Sequence, residues 1–229
     1  MSEQEQDRPL RGYTIFSILG AASPGERPVS PDAATELDAA IALVAADGVT
    51  VRGLYDVTGM RAEAEVMLWL HGEDPAGVQA ALRELRRTSL LRPLTAVWSA
   101  MGVHREAEFN KRHIPGYLRG ERPRAWLCLY PFVRTHEWYL LPDEERSAML
   151  AEHGRRGAAF TDVVANTVST FALSDYEWLL PLESDELLSL VDLMRDLRAT
   201  GARRFVREEI PFFTGRRVDP AELAEVLAR

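Results

Sequence analysis

Two stretches of this chain repeat one pattern at a constant spacing, and no other feature of the sequence constrains the fold as tightly. Glu65-Val-Met-Leu-Trp-Leu70 and the run His71 to Leu85 match Glu177-Trp-Leu-Leu-Pro-Leu182 and the run Glu183 to Leu197. Glu65 falls on Glu177 and Leu85 on Leu197, so the offset is 112 residues without a gap. Val78, Ala81, Leu82 and Leu85 coincide with Leu190, Leu193, Met194 and Leu197, the i, i+3, i+4, i+7 stripe of a helix that packs its apolar side on a sheet. Each copy reads as a strand followed by a helix.

Extended outward, the first half predicts strands near 12–19, 49–57, 64–70 and 93–103, with helices near 31–46 and 75–87. The second half predicts strands near 124–134, 163–173, 176–182 and 204–212, with helices near 142–161 and 184–200. Both halves are βαββαβ, the ferredoxin-like order, in which helices cover one face of an antiparallel sheet and leave the other open. Packing one open face on the other gives the expected fold class, α+β, with two ferredoxin-like repeats forming an α+β barrel. The expected organisation is a disordered leader at 1–10, an N-terminal repeat at 11–111, a connecting loop at 112–123, a C-terminal repeat at 124–217 and a helical tail at 218–229. The link is rich in Pro, Gly and Arg and carries His113. A long connection of this kind is more often functional than idle.

The 229 residues suffice for one large domain or two small ones, and a net charge of −8 argues against a nucleic-acid-binding surface as the main purpose. The N-terminal residues lack the basic start and apolar centre of a secretion signal, and no apolar run reaches the length of a membrane span. A cytoplasmic protein with no membrane partner is expected. The single cysteine, Cys128, suits a reducing compartment and the role of a small buried side chain in a strand.

The helix after Pro142 opens with Asp143, Glu144 and Glu145, as a helix N-terminus favours. Projected at 3.6 residues per turn, Met149, Leu150, His153, Gly157 and Phe160 share one stripe, which turns His153 inward. Gly154 and Gly157 weaken a helix by roughly 1 kcal/mol each relative to alanine, so a close approach to the backbone is expected there, and a flat porphyrin would supply one. His71, His104 and His136 read as structural or surface groups. His153 is open to two readings: a satisfied core imidazole, or the proximal ligand of a haem iron, with Glu208 or Glu209 accepting from its second nitrogen. Tyr130 shares a strand face with Cys128, Phe132 and Arg134, so a phenol and a guanidinium project together. Zinc, calcium, nucleotide and serine-hydrolase spacings do not occur.

Tyr130-Pro-Phe-Val-Arg134, Trp138-Tyr-Leu-Leu-Pro142, Glu152-His153-Gly154, Asp175-Tyr-Glu-Trp178 and Glu209-Ile-Pro-Phe-Phe-Thr-Gly215 resemble the chlorite dismutase-like superfamily, and within it the coproheme decarboxylases of the actinobacterial type. The resemblance runs from about residue 10 to 217. It implies a hydrogen peroxide-dependent oxidative decarboxylase that converts iron coproporphyrin III (coproheme) to haem b through a three-propionate intermediate, as the last step of coproporphyrin-dependent haem synthesis. Coproheme would be both substrate and redox cofactor. The resemblance assigns His153 as the proximal metal ligand, Tyr130 as the radical-forming tyrosine, His113 as the distal base for peroxide, Arg134 as a propionate anchor and Trp138 as a pocket aromatic. It also implies a homopentamer and a transient contact with coproporphyrin ferrochelatase. Chlorite dismutases carry a distal arginine in the strand corresponding to Val163 through Val168, where this chain has Ala165 and Asn166. The competing readings are a haem-binding or delivery protein without decarboxylase activity, and a chlorite dismutase or weak peroxidase.

Overall fold

The structure is a computed structural model that describes residues 12–21, 29–105 and 114–228. The chain divides into one unit of Met1–His104 with Gly215–Arg229 and a second of Arg105–Thr214.

In the first unit, β1 (Tyr13–Ala21) lies between β4 (Leu94–Val103) and β3 (Val66–Gly72); β3 leads on to β2 (Val49–Asp56) and then to β10 (Phe213–Val218). Every pairing is antiparallel. Alternation sends Ile15, Val66, Leu68 and Leu70 to one sheet face, which is covered by α1 (Ala33–Ala46), α2 (Pro75–Leu85) and α6 (Pro220–Leu227). Leu37, Val78, Leu85 and Leu223 are fully buried there, each contributing about 1.5–3 kcal/mol by leaving water. Asp74 caps α2 by accepting from the Gly77 N–H at 2.8 Å, and Pro75 supplies the fixed φ of a first helical position. α1 is stopped by Gly48, whose φ of +81° a side chain would resist.

In the second unit, β8 (Trp178–Ser184) pairs antiparallel with β5 (Trp126–Arg134), and β5 pairs with β9 (Val206–Glu208). The helix α5 (Leu187–Leu197) lays Leu190 and Leu193 on Cys128, Tyr130 and Leu182. α4 (Asp143–Gly157) carries the inward stripe expected from the sequence, although Met149, Leu150 and His153 are half-buried rather than enclosed.

Four expectations need correction. The strand near 163–173 is two short strands, β6 (Val164–Ala165) and β7 (Val168–Ser169), both paired with β8. Asn166, between them, donates its N–H to the Pro181 carbonyl, but Pro181 has no N–H to return, so the ladder is interrupted. A short helix, α3 (His136–Leu140), follows Arg134 where the sequence reading placed no element. The strand near 204–212 is a 3-10 turn at Gly201–Phe205 followed by only three residues of β9, and Pro211 stands before the next strand. That strand, β10, was absent from the sequence reading. Its residues Arg216 to Val218 pair with Leu54 to Asp56 of the first unit, so the second unit ends at Thr214. Gly215 makes the approach possible, since a Cβ there would lie 2.7 Å from Val57 Cγ1.

Candidate functional site

Alternation along β5 turns Tyr130, Phe132 and Arg134 toward one cavity within the second unit. Leu180, opposite Tyr130 on β8, and Met194 and Leu197 from α5 give it apolar walls. α4 contributes His153, and the segment after α5 contributes Arg198, Thr200 and Arg203.

The Nδ1 atom of His153 faces Thr200 Oγ1 at 3.4 Å. Thr200 donates its own hydroxyl hydrogen to the Leu197 carbonyl at 2.9 Å, so toward the imidazole it presents a lone pair. Nδ1 is therefore the protonated nitrogen, and Nε2 keeps the lone pair a metal needs. Burial, with a smaller effect from Arg134, lowers the imidazole pKa and holds the ring neutral. Neither Glu208 nor Glu209 takes the Nδ1 contact expected of one of them. Glu208 is exposed, and Glu209 lines the cavity but pairs with both Arg198 and Arg203. Among the described residues an added Cβ on Gly154 or Gly157 would meet nothing within 4 Å outside its own helix, so no contact there requires these glycines.

Tyr130 is buried and stacks on Phe212, with ring centroids 4.5 Å apart. Burial raises its phenol pKa well above the ordinary value, and the Glu209 carboxylate adds to the shift, so the phenol keeps its proton at neutral pH. Cys128 sits beneath it on the same strand face, buried as expected, with its thiol pushed up to about 11 by burial.

Arg134 is held between two rings, its guanidinium carbon 4.2 Å from the Trp138 centroid and 4.9 Å from that of Phe132. One nitrogen donates to the Ala202 carbonyl at 3.1 Å. Burial lowers its pKa to about 10, which leaves it charged at neutral pH. Trp138, expected as a pocket aromatic, is buried behind Arg134 and against Phe205 and does not line the cavity. α3 puts it there by turning the chain back immediately after Arg134.

The structure thus brings Tyr130, Arg134 and His153 into one cavity, with Trp138 as support. His113 lies outside the described residues. Asn166, between β6 and β7, is fully buried: its Oδ1 accepts from the Tyr117 N–H at 2.8 Å and its amide donates to Glu183 at 3.0 Å. Thr200, Arg198 and Arg203 escaped the sequence reading. Their signal was a run of small residues bounded by arginines, Arg198-Ala-Thr-Gly-Ala-Arg203, directly after the repeated helix. Three guanidiniums against one carboxylate give the cavity a cationic lining around an apolar interior. That suits a flat apolar ligand carrying several carboxylates.

Residues 31–218 match the family described as chlorite dismutase. The chain is 51% identical to a coproheme decarboxylase of Mycolicibacterium smegmatis over 215 residues, 92% of each chain. It is 25% identical to a coproheme decarboxylase of Staphylococcus carnosus, over 77% of this chain and 76% of that one. Among solved structures, a mutant chlorite dismutase from Candidatus Nitrospira defluvii superposes with a TM-score of 0.78 at 19% identity, covering 95% of this chain and 96% of the other. That likeness carries the fold, which is the chlorite dismutase-like α+β class expected from the doubled pattern.

Proposed function

Because this chain belongs to the chlorite dismutase family, we propose that it is a coproheme decarboxylase, which converts iron coproporphyrin III to haem b in the last step of haem synthesis. The observation that carries the reading is the pairing, in one cationic cavity, of a neutral imidazole with a free Nε2 and a buried, protonated phenol.

When bound, the iron porphyrin supplies the redox chemistry and is also the substrate. His153 would hold the iron through Nε2, with Thr200 facing the other ring nitrogen. Arg134 stays charged and, clamped between its rings, offers its remaining N–H groups to a propionate. Arg198 and Arg203, tethered by Glu209, offer further cationic contacts. Tyr130 has no accessible phenolate, so it loses its electron and proton together and, as a radical, takes a hydrogen atom from the propionate β-carbon. Loss of a second electron and of carbon dioxide leaves a vinyl group. Peroxide takes up the two electrons: each propionate carboxylate, one peroxide and one proton become a vinyl group, carbon dioxide and two waters. In this reading His113 would accept the proton of peroxide. The same reading includes a homopentameric ring, a transient contact with coproporphyrin ferrochelatase, and a cytoplasmic location; among the described residues no helix is long and apolar enough to cross a membrane.

The test is to load the protein with coproheme, add hydrogen peroxide and follow porphyrin mass. Two successive losses of a carboxyl group are expected. Unchanged coproheme with bound iron would leave a haem-binding protein, and oxygen release from chlorite without decarboxylation would leave a chlorite dismutase.

A further inference from the structure

Beside the cavity, and outside the chemistry assigned to it, lies a second tyrosine arranged for oxidation. Phe132, which lines the cavity, is stacked with Trp178 at a centroid distance of 6.3 Å and an interplanar angle of 15°. The Trp178 side chain lies beside the Tyr139 hydroxyl, which donates to Glu177 Oε2 at 2.8 Å. The same carboxylate oxygen accepts the Arg134 backbone N–H at 2.7 Å, which fixes it in place. Phe171 lies edge-on to Tyr139 and Trp178, at 6.3 and 5.6 Å, and covers the pair while remaining half-exposed itself. The next residue, Ala172, is held at a φ of +64°, a conformation that costs a non-glycine residue about 1–2 kcal/mol.

We propose that Trp178, Tyr139 and Glu177 form a second redox-active site, which drains from the cavity oxidising equivalents that Tyr130 does not consume. The drainage rests on the oxidative reading of the cavity; the oxidisability of the site does not. One electron passes from Trp178 to the oxidant that peroxide generates in the cavity, leaving an indole radical cation. Tyr139 returns that electron, and its phenolic proton crosses the 2.8 Å bond to Glu177. The products are a restored Trp178, a neutral tyrosyl radical and a protonated Glu177, with the oxidant reduced by one electron. The carboxylate is what makes the site work, because an oxidised phenol must shed its proton and Glu177 Oε2 already accepts the Tyr139 hydroxyl. The bond to Glu177 and burial together keep Tyr139 protonated until it is oxidised.

Two arms test this. In the first, the full chain without porphyrin is exposed to flash-generated ruthenium(III) tris-bipyridine with a spin trap, and the adduct is mapped by tandem mass spectrometry. An adduct on Tyr139 is expected, absent in Tyr139→Phe and reduced on the order of 100-fold in Glu177→Gln, which keeps the shape of the side chain but not the base. No adduct on Tyr139, or one indifferent to Glu177→Gln in a variant with native melting behaviour, would overturn the site. In the second, coproheme-loaded protein receives excess peroxide, with adduct position and porphyrin mass read together. Drainage predicts a Tyr139 adduct alongside normal decarboxylation, and in Tyr139→Phe the same early product yield with more oxidation elsewhere. Decarboxylation with no Tyr139 adduct would overturn drainage. A Tyr139 adduct in the first arm with no decarboxylation in the second would overturn the decarboxylase reading and leave the redox site standing.

Discussion

His153 Nδ1 lies 3.4 Å from Thr200 Oγ1, and Thr200 spends its own hydrogen on the Leu197 carbonyl. The contact is long and neutral, in contrast to a carboxylate partner, which would give the ring imidazolate character. It fixes the tautomer while leaving Nε2 a moderate donor. Thr200→Val, which keeps the shape and removes the acceptor, is expected to weaken coproheme binding by roughly tenfold and to broaden the iron-imidazole spectrum. Titration followed by absorption spectroscopy checks this, and His153→Ala should abolish the imidazole-ligated spectrum.

Tyr130→Phe keeps the ring stacked on Phe212 and removes only the hydroxyl. Coproheme should bind within about twofold of the native affinity while decarboxylation falls by roughly 1,000-fold, the pattern of a group needed only in the bond-breaking step. Binding titration and product mass give the two readouts. Native turnover would remove Tyr130 from the mechanism.

Arg134→Ala should lower affinity for coproheme by about 10–100-fold, the worth of a charge-assisted hydrogen bond in a partly buried site. Arg134→Lys should recover little of this, because an ammonium cannot stack between Phe132 and Trp138 as a planar guanidinium does. Dissociation constants for the two variants test the point.

His71 gives the fold a pH dependence unrelated to catalysis. Burial, helped by Arg52, pushes its imidazole down to about 4 from an ordinary 6.5. Between those values the unfolded chain binds the proton and the native state does not. The stabilisation is complete above pH 6.5 and is lost as pH falls toward 4, to a total of about 3 kcal/mol. Melting temperature against pH should fall over this interval, and His71→Asn should flatten the profile.

Asn166→Ala leaves the Tyr117 N–H and the Glu183 carboxylate without their amide partner in a buried position. A loss of about 3 kcal/mol is expected, readable by denaturant unfolding.

Periodicity made most of this architecture legible. The helix stripes ending at Leu85 and Leu197, and the alternation along β1, β3 and β5, are local consequences of burying one face, so residue order alone carries them. It also put Tyr130, Phe132 and Arg134 on one strand face and His153 on an inward helix stripe, and the structure opens both onto one cavity. What could not be read locally depends on partners distant in sequence. β10 has no distinctive pattern; it is a strand because Arg216 to Val218 find free edge groups on β2. Trp138 reads as a pocket aromatic until α3 folds it behind Arg134. Thr200, 47 residues from His153, became its partner only when α4 packed beside the turn after α5. The sequence by itself determined which residues face inward, since that follows from hydrophobic period; tertiary structure alone decided which of them meet, since hydrogen bonds and charge pairs need separations of a few ångströms that no spacing along the chain records.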